Sequence, residues 1–304
     1  MEDHILVLMS VWNGEKYIEE QLDSILEQEG CRVHLLIRDD GSSDRTPAIL
    51  ARYQRFHENM TVVPDRNNVG AAQSFMSLLC RSETYPFYAF ADQDDIWDRR
   101  KLISGIRMLE KEEKPAVYAS NAALMDAKGN SMGRLLHRSG VHVNMETVLC
   151  VNQFPGCSLV FNDRLARMVR SAGFPEVMIM HDYYLTTVCA LVGGSIRYDP
   201  VPRMYYRQHG DNQIGVSAGT MEKVRDRIRR VCKKKKVSVT AQLKEICMRY
   251  EPYISEKNMK FANLLIRTET SFFSRCRVCF SGRVHYKNMN QALSHRLAFL
   301  FGNK

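Results

Sequence analysis

Over the first 120 residues, continuous apolar runs alternate with amphipathic helical stretches, and that alternation leaves few architectures open. The strand stretches are HILVLMSV (4–11), VHLLIRDDGS (33–42) ending in a turn, MTVVP (60–64), PFYAFADQDD (86–95) and PAVYASN (115–121). A strand without polar alternation expects apolar cover on both faces, as in a parallel sheet between helical layers. Between the first two runs, Ile18, Gln21, Leu22, Ile25 and Leu26 recur at helical spacing. A second helix is expected over 43–56, with Asp44 as its N-cap and Pro47 in its first turn. Others are expected after the loop that opens NNVGAAQSFMSLLC and over 98–111. The expected fold class is α/β, a doubly wound mixed, mostly parallel sheet flanked by helices. Beyond residue 120, CSLVFN reads as a strand and HDYYLTTVCALVGG as a helix ending at a glycine. SIRYDPVPRMYYRQHG reads as strand and loop.

Open sheets of this kind bind ligands beyond the carboxyl ends of their strands. Here those ends are SVWN, RDDGS and ADQDD, all polar and two of them acidic. Carboxylates at a buried strand end must be paired, hydrogen-bonded or metal-bound. The Asp92-x-Asp94 pair suits a hard cation such as Mg²⁺ or Mn²⁺, held by one or two carboxylates and substrate phosphates. The other reading is an acidic turn that caps the next helix. No GxxxxGK[ST] occurs, and no GxGxxG follows the first strand. Both absences steer a metal–phosphate site away from P-loop and dinucleotide-binding enzymes.

Charge is uneven along the 304 residues. The net value is +9, yet from Thr220 onward there are 20 Lys and Arg against 6 Asp and Glu. The reading is a slightly acidic body, 1–219, followed by a basic, mainly helical C-terminal extension, 220–304. Such asymmetry favours a polyanionic partner for the extension. QALSHRLAFLF places Leu293, Leu297, Leu300 and Phe301 near one helical face, and Lys233–Lys236 form a basic run, so an anionic membrane surface is the expected partner. Solvated helices packed on the body are the alternative. No nucleic acid is expected, since no recognised RNA- or DNA-binding motif is present. Nine scattered cysteines fit reduced thiols, and Cys276 and Cys279 form a C-x-x-C without a second pair to complete a zinc site. The N-terminal apolar stretch reads as a strand rather than a signal peptide, and a cytoplasmic location follows, peripheral on the inner face of the membrane.

An ordered set of motifs carries a resemblance over about residues 4–215: VLMSVWNGEKYIEEQLDSIL, RDDGSSDRT, NNVGAAQSF, FADQDDIWDRRKL, PGCSLVFN, HDYYLTTVCALVGG and YYRQHGDNQIG. Together they resemble the family-2 glycosyltransferases of the GT-A fold, in particular the bacterial rhamnosyltransferase-like group. The resemblance implies an inverting, divalent-metal-dependent transfer from a UDP- or dTDP-sugar to a glycan or lipid-linked acceptor in cell-surface polysaccharide synthesis. It implies that Asp40 accepts the imide N–H of the base, and that Ser10 and Trp12 line the base pocket. Asp92 would hold ribose or a metal-bound water, and Asp94 the metal. Asp182 would be the general base. His209 would complete the metal or diphosphate site, beside Arg207 as a phosphate partner. Gly156 and Cys157 would shape the acceptor side.

There are two departures from the family. Ser10-Val11-Trp12 stands where Pro-Thr-Tyr is common, which bears on base choice, and Arg38 replaces an apolar residue. From the residues alone, a sugar hydroxyl needs a base within reach, and Asp182 at a helix start is either that base or an N-cap. His209 is otherwise an ordinary loop histidine. Cys157 reads as a packed residue rather than a nucleophile. A nucleotidyltransferase or a non-catalytic membrane- or polyanion-binding scaffold are the alternatives. SVWNGEKY lacks the basic, Gly-rich loop of the former.

Overall fold

The computed structural model describes residues 3–63, 65, 67–209, 237–285, 296 and 300. Among the described residues, nine strands form one sheet in the order β3-β2-β1-β4-β8-β6-β9-β5, with β7 paired to β6. They are β1 (His4–Val11), β2 (Arg32–Asp39), β3 (Met60–Val63), β4 (Phe87–Ala91), β5 (Ile96–Trp97), β6 (Ala116–Met125), β7 (Ser131–Leu135), β8 (Leu159–Asn162) and β9 (Ser195–Arg207). β1–β4, β6 and β9 share one direction, and β5, β7 and β8 oppose it. The sheet is therefore mixed and mostly parallel, as the apolar runs predict.

β1 explains the two-layer cover. Ile5, Val7 and Met9 enter the core formed with α1 (Ile18–Leu26), α2 (Thr46–Phe56) and α4 (Lys101–Leu109). Leu6 and Leu8, on the other face, join the core under α3 (Ala71–Arg81), α5 (Met145–Cys150), α6 (Asp163–Ser171) and α7 (His181–Leu191). Successive side chains point to opposite faces, so a strand buried on both sides reads as unbroken apolar sequence. The same second core takes in Leu243, Ile246 and Tyr250 of α8 (Val239–Tyr250), Phe261 and Leu265 of α9 (Glu256–Arg267), and Val278 of α10 (Phe272–Cys279). The described C-terminal helices are thus packed on the body through apolar side chains. Lys233–Lys236, Leu293, Leu297 and Phe301 lie outside the described residues.

Several local expectations shift. α2 starts at Thr46 with Arg45 in the cap position, and Asp44 accepts from the Thr46 N–H at 2.9 Å one residue ahead of it. β6 runs on to Met125, because β9 and β7 pair with its second half. β9 is a single strand from Ser195 to Arg207, and register shifts against β6 accommodate its prolines. β5 has only two residues, too few for any periodic signal, and pairs with Met204 and Tyr205 of β9.

β1 lies between β2 and β4, so the chain winds outward through β2 and β3 and returns on the other side at β4. The carboxyl ends of β1 and β4 flank that switch point, where α/β sheets open a crevice.

Candidate active site

The loop after β1 is built against both neighbouring strand ends. The Trp12 N–H donates to Gln93 Oε1 at 2.7 Å, and Gln93 Nε2 donates back to the Trp12 carbonyl at 2.9 Å. A Cβ on Gly14 would meet Gln93 Oε1 at 2.7 Å, so a larger residue there would displace the Gln93 side chain from Trp12. The Asn13 N–H donates to Ser42 Oγ at 2.9 Å, and the Ser43 N–H to Asn13 Oδ1 at 2.8 Å, which joins the β1 and β2 loops. The Trp12 side chain is 54% exposed at the rim. An exposed indole at a cleft mouth offers an aromatic face to a flat ligand.

In RDDGS the two aspartates divide the work. Asp39 Oδ1 accepts from the Ser42 N–H at 3.0 Å and its hydroxyl at 2.6 Å, and so shapes the turn. Asp40 is buried and accepts from the N–H groups of Val69 (2.9 Å) and Gly70 (2.8 Å) and from Arg38. Arg38, also buried, donates to the Asn67 carbonyl at 2.7 Å and to Ser74 Oγ at 3.1 Å. Ser74 Oγ accepts from Ser10 Oγ at 2.7 Å. Arg38 therefore ties β1, β2, the 65–70 loop and α3 together, which accounts for an arginine where an apolar residue was expected. Three donors occupy Asp40, and a carboxylate has about four acceptor sites, so one remains. Arg38→Met leaves a buried carboxylate without its cation, and the expected cost is about 3–5 kcal/mol, read as a lower urea midpoint. Arg38→Met/Asp40→Asn restores much of that loss.

At the end of β4, Asp92 and Asp95 group with Cys157, their ligand atoms all within 4.8 Å of one another. Burial and the neighbouring Asp94 charge push the Asp92 carboxyl up to about 7, with Asp182 adding to the repulsion. Asp95, fully buried, is pushed well above the ordinary range by burial and by Asp94 and Asp92. Its Oδ1 accepts from the Arg207 N–H at 3.2 Å, and its Oδ2 has no hydrogen-bond partner. The Cys157 thiol is raised by burial and both carboxylates, so it is a donor between them and not a nucleophile.

Pairing of β5 with β9 brings the carboxyl end of β9 to this acidic turn. His209 Nε2 lies 2.7 Å from Asp94 Oδ2. Arg207 Nε donates to the Asp94 carbonyl at 2.8 Å, its NH2 pairs with Glu20, and its guanidinium lies 4.5 Å over the Tyr17 ring. Lys101 is a further cation that the sequence reading missed. It is fully buried, with Nζ 3.6 Å over the Trp97 ring, and burial lowers its pKa to about 7. Its place at a helix start after Arg99 and Arg100 resembled an exposed turn, and only the packing of Trp97 shows otherwise.

Asp182 sits in the first turn of α7, buried, with Oδ1 accepting from Asn152 Nδ2 at 3.2 Å and from the Tyr183 N–H. Burial pushes its carboxyl up to about 6 despite those bonds. His181 is buried beside it, stacked 4.0 Å on Phe75, with neither ring nitrogen hydrogen-bonded. Gly156 makes room for that imidazole, because a Cβ there would fall 2.4 Å from Nε2. Asn152 carried no motif and was not foreseen.

Three carboxylates crowded at one strand end, one with an orphaned oxygen, and an Asp–His pair at their edge make a donor set that fits a hard divalent cation. An exposed aromatic and a group of carboxylates at the β1/β4 switch point suit a ligand that presents a flat ring and a metal-bound phosphate. Residues 6–151 match the sequence model of a family described as Glycosyl transferase family 2, and form a family-2 glycosyltransferase domain in this chain. It is 28% identical to a dTDP-rhamnosyl transferase (RfbG) of Shigella flexneri over 218 residues, 69% of this chain and 74% of that protein. Solved GT-A structures share the fold. TarS 1-349 of S. aureus in complex with UDP-GlcNAc superposes with a TM-score of 0.57 at 16% identity, over 99% of this chain and 91% of that one. The mannosyltransferase PcManGT of Pyrobaculum calidifontis, in complex with GDP-Man and Mn²⁺, gives 0.54 at 17% identity, over 100% and 86%. No helix among the described residues is long and apolar enough to cross a membrane.

Proposed function

We propose that this glycosyltransferase moves a sugar from a UDP- or dTDP-sugar to an acceptor hydroxyl in bacterial cell-surface polysaccharide synthesis, with inversion at the anomeric carbon and dependence on Mg²⁺ or Mn²⁺. The observation that carries the reading is that Gly156-Cys157 joins the two carboxylate groups: the Gly156 backbone bonds Asp182, Cys157 Sγ groups with Asp92 and Asp95, and the Asp182 charge adds to the rise of the Asp92 carboxyl. An acidic donor site and a carboxylate tuned towards neutrality then face one reacting centre. The similarity to a dTDP-rhamnosyl transferase supports a dTDP- or UDP-linked donor.

Trp12, at the open rim, stacks on the base, and the remaining acceptor site of Asp40 takes its imide N–H. Ser10 holds the pocket wall through Ser74. Asp92 binds ribose or a bound water. Asp94 and His209 would hold the cation, which supplies positive charge beside the leaving diphosphate. Arg207 adds charge on the same side while bracing the Asp94 backbone. Gly156 and Cys157 border the acceptor. Asp182 takes the acceptor hydroxyl proton as that oxygen bonds to the anomeric carbon. The bond from that carbon to the phosphate oxygen breaks, and its electron pair leaves with the nucleoside diphosphate. The acceptor is a glycan or a lipid-linked saccharide, and the basic C-terminal extension, residues 220–304, attaches peripherally to the anionic inner face of the cell membrane. The family match sets aside the nucleotidyltransferase and scaffold alternatives.

Calorimetry with UDP, dTDP and GDP, each with and without Mn²⁺, tests the donor side. UDP or dTDP is expected to bind only with metal, and GDP at least about tenfold more weakly, an energy difference of one lost base contact. Folded protein that binds none of them would overturn the reading.

A further inference from the structure

Helix α10 buries Ser274, Val278 and Cys279 against the core. Its opposite face carries Phe273, Cys276 and Arg277, and Phe280 at its end, at the i, i+3, i+4, i+7 spacing of one helical stripe. Phe273 is 87% exposed, Phe280 71%, and the adjacent Phe272 63%. One exposed apolar residue needs no explanation, but two phenylalanines on an eight-residue helix and a third at its C-cap do.

The charge around this face narrows the occupant. From Thr270 to Lys304 the chain has six Lys and Arg and no Asp or Glu. Arg277 and Arg283 are exposed on the described part. Exposed aromatic rings flanked by arginines, on a stretch of sequence without acidic residues, match an anionic bilayer interface, where rings enter the headgroup boundary and cations meet lipid phosphates.

The face is also joined to the reacting centre. The His285 N–H donates to Thr147 Oγ1 at 2.9 Å, and Asn144 Nδ2 donates to the Arg283 carbonyl at 2.8 Å, which fastens the end of this segment to α5. The loop leaving α5 carries Asn152, the partner of Asp182. Tyr183 Oη, next to Asp182, donates to the Leu149 carbonyl of α5 at 2.6 Å.

We propose that Phe272, Phe273 and Phe280, with Arg277 and Arg283, form the seat by which the protein lies on an anionic lipid surface, with the acceptor side of the cleft attached to that seat through α5. This deepens the membrane part of the reading above and rests on it, independently of the catalytic assignments.

The test is cosedimentation of the full chain with phosphatidylcholine vesicles and with phosphatidylcholine vesicles containing phosphatidylglycerol. Wild-type protein is expected to sediment with the anionic vesicles only. The Phe272→Ser/Phe273→Ser/Phe280→Ser variant should keep its melting temperature, since all three rings are solvent-facing, and lose at least about tenfold in partitioning. A variant that binds like wild type overturns the aromatic seat and leaves a purely charge-driven attachment standing. Wild type that stays in the supernatant overturns the membrane reading as a whole. A wild-type dimer that the variant converts to monomer assigns the face to a second copy and overturns the lipid seat.

Discussion

Asp182→Asn is expected to lower kcat by about 10²–10⁴-fold, the usual contribution of a positioned general base, while metal-dependent UDP or dTDP binding stays unchanged. The amide keeps an oxygen for the Tyr183 N–H and Asn152, so the start of α7 survives the change. Two further readouts separate a base from a helix cap. In the wild type, kcat should fall with unit slope as pH drops through about 6, the value to which burial raises this carboxyl. The stability effect has the opposite direction to the activity effect. With a folded value above the ordinary 3.8, the carboxyl contributes stability that is complete below 3.8 and lost as pH rises through about 6. At pH above 7 the ionised form therefore costs on the order of 3 kcal/mol, and Asp182→Asn should melt higher than wild type there. Full transfer activity in a well-folded Asp182→Asn protein would reduce Asp182 to a cap.

Asp94→Asn is expected to bring UDP or dTDP binding in Mn²⁺ down to its metal-free level and to lower kcat/KM by about 10²–10³-fold, the scale of a lost electrostatic stabiliser. The physical reason lies in the charge balance. Asp92 and Asp95 already stand above their ordinary values because of burial first and the Asp94 charge second. On the proposed assignment, removing that charge deletes a cation ligand, and it also lets the remaining carboxyls ionise more readily. Titration of Mn²⁺ by calorimetry reads the first effect directly. Metal-coupled binding that persists in Asp94→Asn would move the cation to the Asp92–Asp95–Cys157 group, whose ligand atoms also converge.

How much of this was legible beforehand differs from residue to residue. Ser10, Asp40, Asp92 and Asp94 announced themselves as polar ends of apolar runs, and the topology places those of β1 and β4 at the switch point. Arg38 was legible as an oddity and nothing more. Its meaning depends on Ser74, Asn67 and the 65–70 loop, all at least 27 residues away in sequence. Lys101 was misleading, because an arginine-rich helix start looks solvated until Trp97 is seen to cover it.

By itself the sequence determined the strands, their double-faced burial and the acidic strand ends, because side-chain periodicity and turn chemistry act within a few residues. Only the tertiary structure decided that Asp182, His209 and Arg207 join those ends. The two-residue β5 selects β9 as its partner, and β9 then delivers His209 to Asp94 across 115 positions. Asn152 likewise meets Asp182 only because α5 and α7 pack together over one core. Such meetings follow from burying apolar faces against each other, and burial is non-directional. It leaves no local signature on the polar residues it brings together.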